Sequence, residues 1–119
     1  MHIINAVKTM GNQMGIDLAL SDQGTASLNV GETDSLFIER DGDSLAVSLA
    51  RKIQGDILPG LERGLMKCHP DREPRLGLRV ALFREDTLVV ISKLEKHHIN
   101  AGMVEQILPY LFETMAEIS

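Results

Sequence analysis

The chain is poor in several residue types on which specialised proteins depend. Among its 119 residues it has one cysteine, no tryptophan, one tyrosine and three phenylalanines. The single cysteine, Cys68, excludes an intrachain disulfide and any zinc site built on paired cysteines, and it fits a reducing compartment. The scarcity of aromatic side chains removes the stacking platforms that bind single-stranded nucleic acid.

Excess basic charge and long apolar runs are lacking as well. Twelve Lys and Arg residues stand against seventeen Asp and Glu residues, a net charge of −5, so we expect no nucleic-acid partner. No apolar run approaches the roughly 20 residues of a membrane-spanning helix, and the first residues do not resemble a secretory signal. We therefore expect a soluble intracellular protein with no membrane insertion.

The composition that remains is typical of one globular domain. Hydrophobic residues make up 44% of the chain and charged residues 24%, and a chain of this length has enough apolar surface for a single core. We see no linker or repeat, so residues 1–119 are predicted to form one domain.

Apolar spacing predicts a helix and then a run of strands in the first half. The first helix is predicted over residues 3–14, ending before Gly15. A two-residue period then indicates a strand at 25–30 and an optional one at 18–20. Residues 35–40 and 44–50 alternate in the same way around Asp41-Gly42-Asp43, a strong signal for a hairpin.

The second half adds a helix, two strands and a last helix. The regular part of the middle helix is predicted to begin near Leu58, because Pro59 fits a first helical turn. Strands follow at 76–83 and 87–94; the second is apolar on both faces, which predicts that it is covered on both sides. The last helix, residues 99–118, is predicted to be capped by Asn100 and kinked at Pro109. The order α-β-β-β-(β)-α-β-β-α defines an α+β fold, with three helices on an antiparallel sheet.

Gly60 and Gly64 lie four residues apart on the middle helix, where each costs helix stability relative to alanine. Either they allow a second helix to approach closely, as in a symmetric dimer, or they let this helix lie flat on its own sheet. The small size of the chain favours the dimer.

Candidate catalytic and metal-binding residues are few. Cys68-His69 and His97-His98 are adjacent pairs, and neighbours in sequence rarely orient toward each other as a nucleophile and its base must. No further ligand stands at a spacing that would complete a zinc site around the two histidines. We predict no catalytic residue and no metal site.

Several motifs together resemble the class I chaperones of bacterial type III secretion, the CesT/SycE-like family. Met10-x-x-x-Met14-Gly15-Ile16 resembles the end of the family's first helix, and Leu28-x-Val30 and Leu36-x-Ile38 resemble its early strands. The stretch from Leu36 to Arg51, with its acidic residue, Gly turn and Leu-Ala-Arg ending, resembles the SycN-like branch most closely.

The resemblance implies a cytoplasmic bacterial protein that is not an enzyme and needs neither ATP nor metal. Its partner would be a secreted effector or gatekeeper protein, held in a non-globular, secretion-competent state and brought transiently to the inner-membrane secretion apparatus. The implied groove for this partner comprises Ile4, Val7, Met10, Met14, Leu18, Leu28 and Val30.

The family also pairs through its second helix, which here implies an interface of Ile57, Gly60, Leu61, Gly64 and Leu65. The pair would be a homodimer or, as in the SycN-like branch, a heterodimer with a second small chaperone. Two alternatives stay open: a permanently bound subunit of a larger assembly, and a small Cys/His-dependent enzyme.

Overall fold

The computed structural model describes residues 2–68 and 77–119. The helices and strands run in the order α1 (Ile3–Gln13), β1 (Thr25–Val30), β2 (Asp34–Asp41), β3 (Ser44–Lys52), α2 (Leu58–Lys67), β4 (Arg79–Phe83), β5 (Thr87–Leu94) and α3 (Ala101–Ile118), with a short 3-10 turn at Lys96–His98. The predicted order is confirmed without its optional strand, since residues 18–20 form none. Two predicted features fall outside the described residues. One is residue 76, the expected start of the fourth strand, and the other is the loop Cys68–Pro74, of which only Cys68 is described.

The five strands form one antiparallel sheet in the order β1-β2-β3-β5-β4. The predicted hairpin joins β2 to β3 and pairs Asp41 with Ser44, while Gly42 has a φ of +60° that suits a tight turn. The helix α2 comes between β3 and β4 in the chain, and β5 then pairs with both of these strands. Consequently β1 and β4 are the two edge strands.

The helices α2 and α3 pack on one face of the sheet, where alternate strand residues meet them, and α1 packs on α3. The core includes Val7, Met10, Leu36, Ile38, Leu45, Val47, Leu49, Leu88, Val90, Leu94, Val104, Ile107, Leu111, Met115 and Ile118. The prediction that β5 is covered on both sides is wrong. Val89 and Ile91 are only half-buried, and they lie beside Ala50 and Ser48 of β3 on a face that no described helix covers.

The last helix has the predicted cap and is one continuous helix. The side-chain oxygen of Asn100 accepts a hydrogen bond from the Met103 amide at 3.0 Å, which confirms the predicted cap. The helix α3 then continues through Pro109 to Ile118, and its buried side chains fill the space between α1 and the sheet.

A charged pair joins β2, β3 and the end of α3. Both Nε and Nη2 of Arg51 donate to the Asp34 carboxylate at 2.8 Å, and Nη1 donates to the Ser119 hydroxyl at 2.9 Å. The hydrogen bonds from Arg51 hold the pKa of the buried Asp34 carboxyl below its usual value. This pair fixes the chain just past α3 against the sheet.

The glycines of α2 allow this helix to pack closely within its own chain. A Cβ at Gly60 would lie 2.9 Å from the carbonyl oxygen of Ile118, and one at Gly64 would lie 2.7 Å from a methyl of Val80. Both glycines are buried. Their predicted place in the dimer interface is therefore corrected: they face β4 and α3, because only a residue without a side chain fits there.

The close packing of α2 makes a prediction for the substitution Gly64→Ala. The new methyl would collide with Val80, and we expect the loss from overpacking to exceed the helix-propensity gain, lowering the free energy of unfolding by about 2 kcal/mol. Gly102→Ala is the matched control, because its Cβ would meet nothing nearer than 3.5 Å. Urea unfolding of both variants measures the difference; equal stability of the two would contradict the close packing.

Candidate protein-binding surfaces

The residues predicted to form a groove at α1 separate into two groups. Val7 and Met10 are 1% and 0% exposed and belong to the core, so the prediction that they line an open groove is corrected. The period that identified them as one helix face was right, but that face is buried in the chain's own core, where α1 packs on α3. Leu18 is also buried; its Cβ lies where a side chain at Gly11 would stand.

The other groove residues lie nearer the surface. Ile4 is 62% exposed on α1, and Met14 is half-buried at the end of that helix. Leu28 and Val30 are half-buried on β1 and pair with Leu36 and Asp34 of β2. They point to the face of the sheet on which the helices pack.

The edge surface is the name we give to β1 with its half-buried apolar side chains, Ala26, Leu28 and Val30. These three side chains pack against the margin of the core and are not covered by it. Because β1 pairs with β2 alone among the described residues, no strand in that part of the chain pairs with the backbone groups along its outer side. Such an edge is a template on which another extended chain can pair.

A second exposed apolar surface lies on α2. Leu58, Leu65 and Met66 are each more than half exposed, and Leu61 is half-buried. Their spacing of three, seven and eight residues places them on one side of the helix, opposite the buried glycines. We call these four residues the α2 surface; Leu82 of the adjacent edge strand β4 is 40% exposed beside it.

The predicted pairing residues are thus divided between the two sides of α2. Ile57, Gly60 and Gly64 are buried in the chain, whereas Leu65 is exposed and Leu61 is half-buried. Sequence reasoning missed Leu58, Met66 and Leu82 as surface residues. Helical periodicity could have identified Leu58 and Met66, since they share a side of α2 with Leu65. Leu82 could not be found in this way, because its exposure follows from the edge position of β4 in the folded sheet.

The face of the sheet away from the helices carries a shallow cleft. Phe37 and Phe83 stand on either side of it, with Ala50 between them, and the cleft encloses about 180 Å³. The guanidinium of Arg84 lies 5.3 Å from the centre of the Phe83 ring, a geometry suited to a cation–π contact. The cleft has the dimensions of one or two apolar side chains.

Of the residues considered for catalysis, Cys68, His97 and His98 lie in the described part of the chain. Burial raises the pKa of the Cys68 thiol, which keeps it protonated and unreactive near neutral pH, and His69 lies outside the described residues. His97 and His98 have ring centres 4.0 Å apart and are both exposed. Across residues 2–68 and 77–119, no group of three potential ligands could hold a metal ion, and no helix is long and apolar enough to cross a membrane.

The fold is that of the type III secretion chaperones. A chain of the Yersinia pestis chaperone SycH complex with a stable YscM2 fragment matches with a TM-score of 0.73 at 15% identity, covering 98% of each chain. A chain of the ExsC–ExsE complex gives 0.71 at 14%, covering 97% of this chain and 92% of that one. A chain of the ExoU–SpcU complex of Pseudomonas aeruginosa matches with a TM-score of 0.65 at 18% identity, covering 94% of this chain and 93% of that one. These identities show the fold alone.

The sequence itself places the chain within this class. Residues 2–119 match the family of the type III secretory system chaperone SycN, and the chain belongs to that family. No curated protein sequence matches it significantly. The resemblance seen in the sequence is confirmed, as are the fold class and the function as a type III secretion chaperone; the family is one of chaperones, not of enzymes.

The separation of core from surface on α1 predicts the effect of truncating its apolar side chains. Met10→Ala should lower the free energy of unfolding by about 3 kcal/mol, because it opens a cavity at a fully buried site. Ile4→Ala truncates an apolar side chain of the same helix at a position that is 62% exposed and should cost less than about 0.5 kcal/mol. Thermal and urea unfolding test both. If Met10→Ala kept full stability and lost binding to a partner, Met10 would be a groove residue after all.

Proposed function

We propose that the chain holds a segment of a secreted effector or gatekeeper protein along the edge surface, and that it pairs with a second chaperone subunit through the α2 surface. The observation that carries the proposal is the open edge strand β1, in a chain that belongs to a secretion-chaperone family. In this role the chain works in the bacterial cytoplasm and reaches the inner-membrane secretion apparatus only transiently.

The edge surface suits an extended client segment. A client strand that adds to β1 gains main-chain hydrogen bonds, while Leu28 and Val30 offer apolar contacts for its alternate side chains. A segment bound in this way is extended and has no globular fold of its own, which is the state that export requires. The structures of the same fold include complexes with other proteins, one of them of SycH with a stable fragment of YscM2, which supports a protein partner for this chain.

The α2 surface suits a second subunit of the same fold. Four apolar side chains on one helix, flanked by Leu82 of an edge strand, form a contiguous apolar area on a chain whose net charge is −5. Apolar patches of this kind on small soluble domains mark association sites. The second subunit is either another copy of the chain or an unlike small chaperone, and the two cases differ in the mass of the purified chain.

Client binding is tested by charging one side of β1. Leu28→Asp places a carboxylate in the edge surface and should abolish co-purification of the secreted protein, because the charge would be desolvated without a partner. Ser27→Asp is the matched control: it adds the same charge to the adjacent residue, which is exposed on the opposite face of the sheet. Circular dichroism and thermal unfolding establish that both variants are folded.

The fate of the co-purified protein separates the proposal from its alternative. Tagged chain is isolated from cells that are secreting, and its partner is identified by mass spectrometry and then sought in the culture medium. A secretion chaperone stays in the cell while its partner is exported. A partner that remains inside with the chain would instead identify a permanently bound subunit. If Leu28→Asp and Ser27→Asp captured the secreted protein equally well, the client would not bind at the edge surface.

Pairing is tested by Leu65→Glu, which buries an unpaired charge if α2 lies in an interface. If the unchanged chain forms a homodimer, light scattering of the variant should give the 13.1 kDa monomer mass. If it pairs with an unlike chaperone, that chaperone should no longer co-purify with the variant after co-expression. Ile4→Glu is the control, because Ile4 is an equally exposed isoleucine on α1, away from the α2 surface. Pairing that survives Leu65→Glu would refute this placement of the interface.

A further inference from the structure

The helix α2 has little side-chain attachment to the rest of the chain. It is only 10 residues long, and the residues on its inner side are Gly60 and Gly64, which bring no side chain into the core. Leu58, Leu65 and Met66 are exposed, and Leu61 is half-buried against the margin of the core. A helix of this length is not stable in isolation, so the contacts that it makes with α3 and β4 determine its position.

Arg63 of α2 makes a two-pronged polar contact with the end of α3. Nε and Nη2 of Arg63 both donate to the carbonyl oxygen of Ile118, at 3.0 and 2.7 Å. Ile118 is the last residue of α3, and the final carbonyls of a helix have no partner within it and carry the negative end of the helix dipole. An arginine on one helix therefore supplies the cap of another.

The carbonyl that Arg63 binds is itself held in place. The Ile118 side chain is fully buried, and the next residue, Ser119, accepts a hydrogen bond from Arg51. The same carbonyl lies where a side chain at Gly60 would stand, so two points one turn apart on α2 meet it. Lys67 adds an ion pair with Glu117 at the end of α2.

We infer that Arg63 is a positioning residue, which fixes α2 against the end of α3 and so presents the α2 surface to the second subunit. The inference rests on the proposed pairing through α2. Arg63 acts through Ile118 and not by touching the partner. Removing its two hydrogen bonds should leave the sheet and its core intact while α2 loses its fixed orientation.

The test compares Arg63→Gln with two other variants of the full chain. Hydrogen exchange of residues 58–67 should accelerate about tenfold in Arg63→Gln, and pairing should weaken by about the same factor, since the lost bonds come from a charged donor. Arg63→Lys keeps the charge with a single donor group and should recover part of both losses. Arg40→Gln is the matched control, because Arg40 also donates to a backbone carbonyl, that of Gly42, in the β2–β3 hairpin.

Pairing is measured by sedimentation of the chain with itself or, if the chain alone is monomeric, with the unlike chaperone that co-expression yields. Faster exchange confined to α2 together with weaker pairing would support the inference. Unchanged exchange in α2 would overturn it, and so would unchanged pairing of Arg63→Gln where Leu65→Glu abolishes pairing. If exchange accelerates but Leu65→Glu also leaves pairing intact, the attachment of α2 stands and the proposed pairing surface fails.

Discussion

The close approach of α2 to the end of α3 is the constraint on which the rest of the architecture depends. Because Gly60 and Gly64 occupy the inner side of the helix, Leu58, Leu65 and Met66 are exposed and only Leu61 is half-buried against the core. The helix is held by the close approach of Gly60 to the Ile118 carbonyl and by the hydrogen bonds of Arg63 to the same carbonyl. The apolar α2 surface follows from this arrangement, since the chain has no second layer to cover it among its described residues.

The one-sided sheet places the two proposed binding surfaces far apart. The edge surface lies on β1 and the α2 surface beside β4, at opposite ends of a five-stranded sheet. Four strand spacings of nearly 5 Å separate them by roughly 19 Å. A client strand on one edge therefore leaves the other edge free, and a pair of subunits formed through α2 would present two client edges pointing away from each other.

Much of the fold could be predicted from the sequence, because its signals are local. The hairpin at Gly42, the cap at Asn100 and the start of α2 at Pro59 each depend on residues within a few positions. The placement of Val7 and Met10 was wrong for a different reason. Periodicity shows which residues share a helix side, but it does not show whether that side meets the chain's own sheet or a partner. The same limit applied to Gly60 and Gly64. The pattern of β5 also does not show whether helices pack on one face of the sheet or on both, so the exposure of its second face was not predicted.

The ion pair of Asp34 with Arg51 has a consequence for the response of the fold to acid. Because Arg51 lowers the pKa of Asp34 in the folded chain, the stabilisation from this pair is fully present above the unfolded-state pKa of aspartate, near 4, and is lost as the pH falls through the lower folded-state value. It stays constant throughout the neutral range. Acidification to that lower value would loosen the junction at which β2, β3 and Ser119 meet, and with it the carbonyl end of α3 to which α2 is attached.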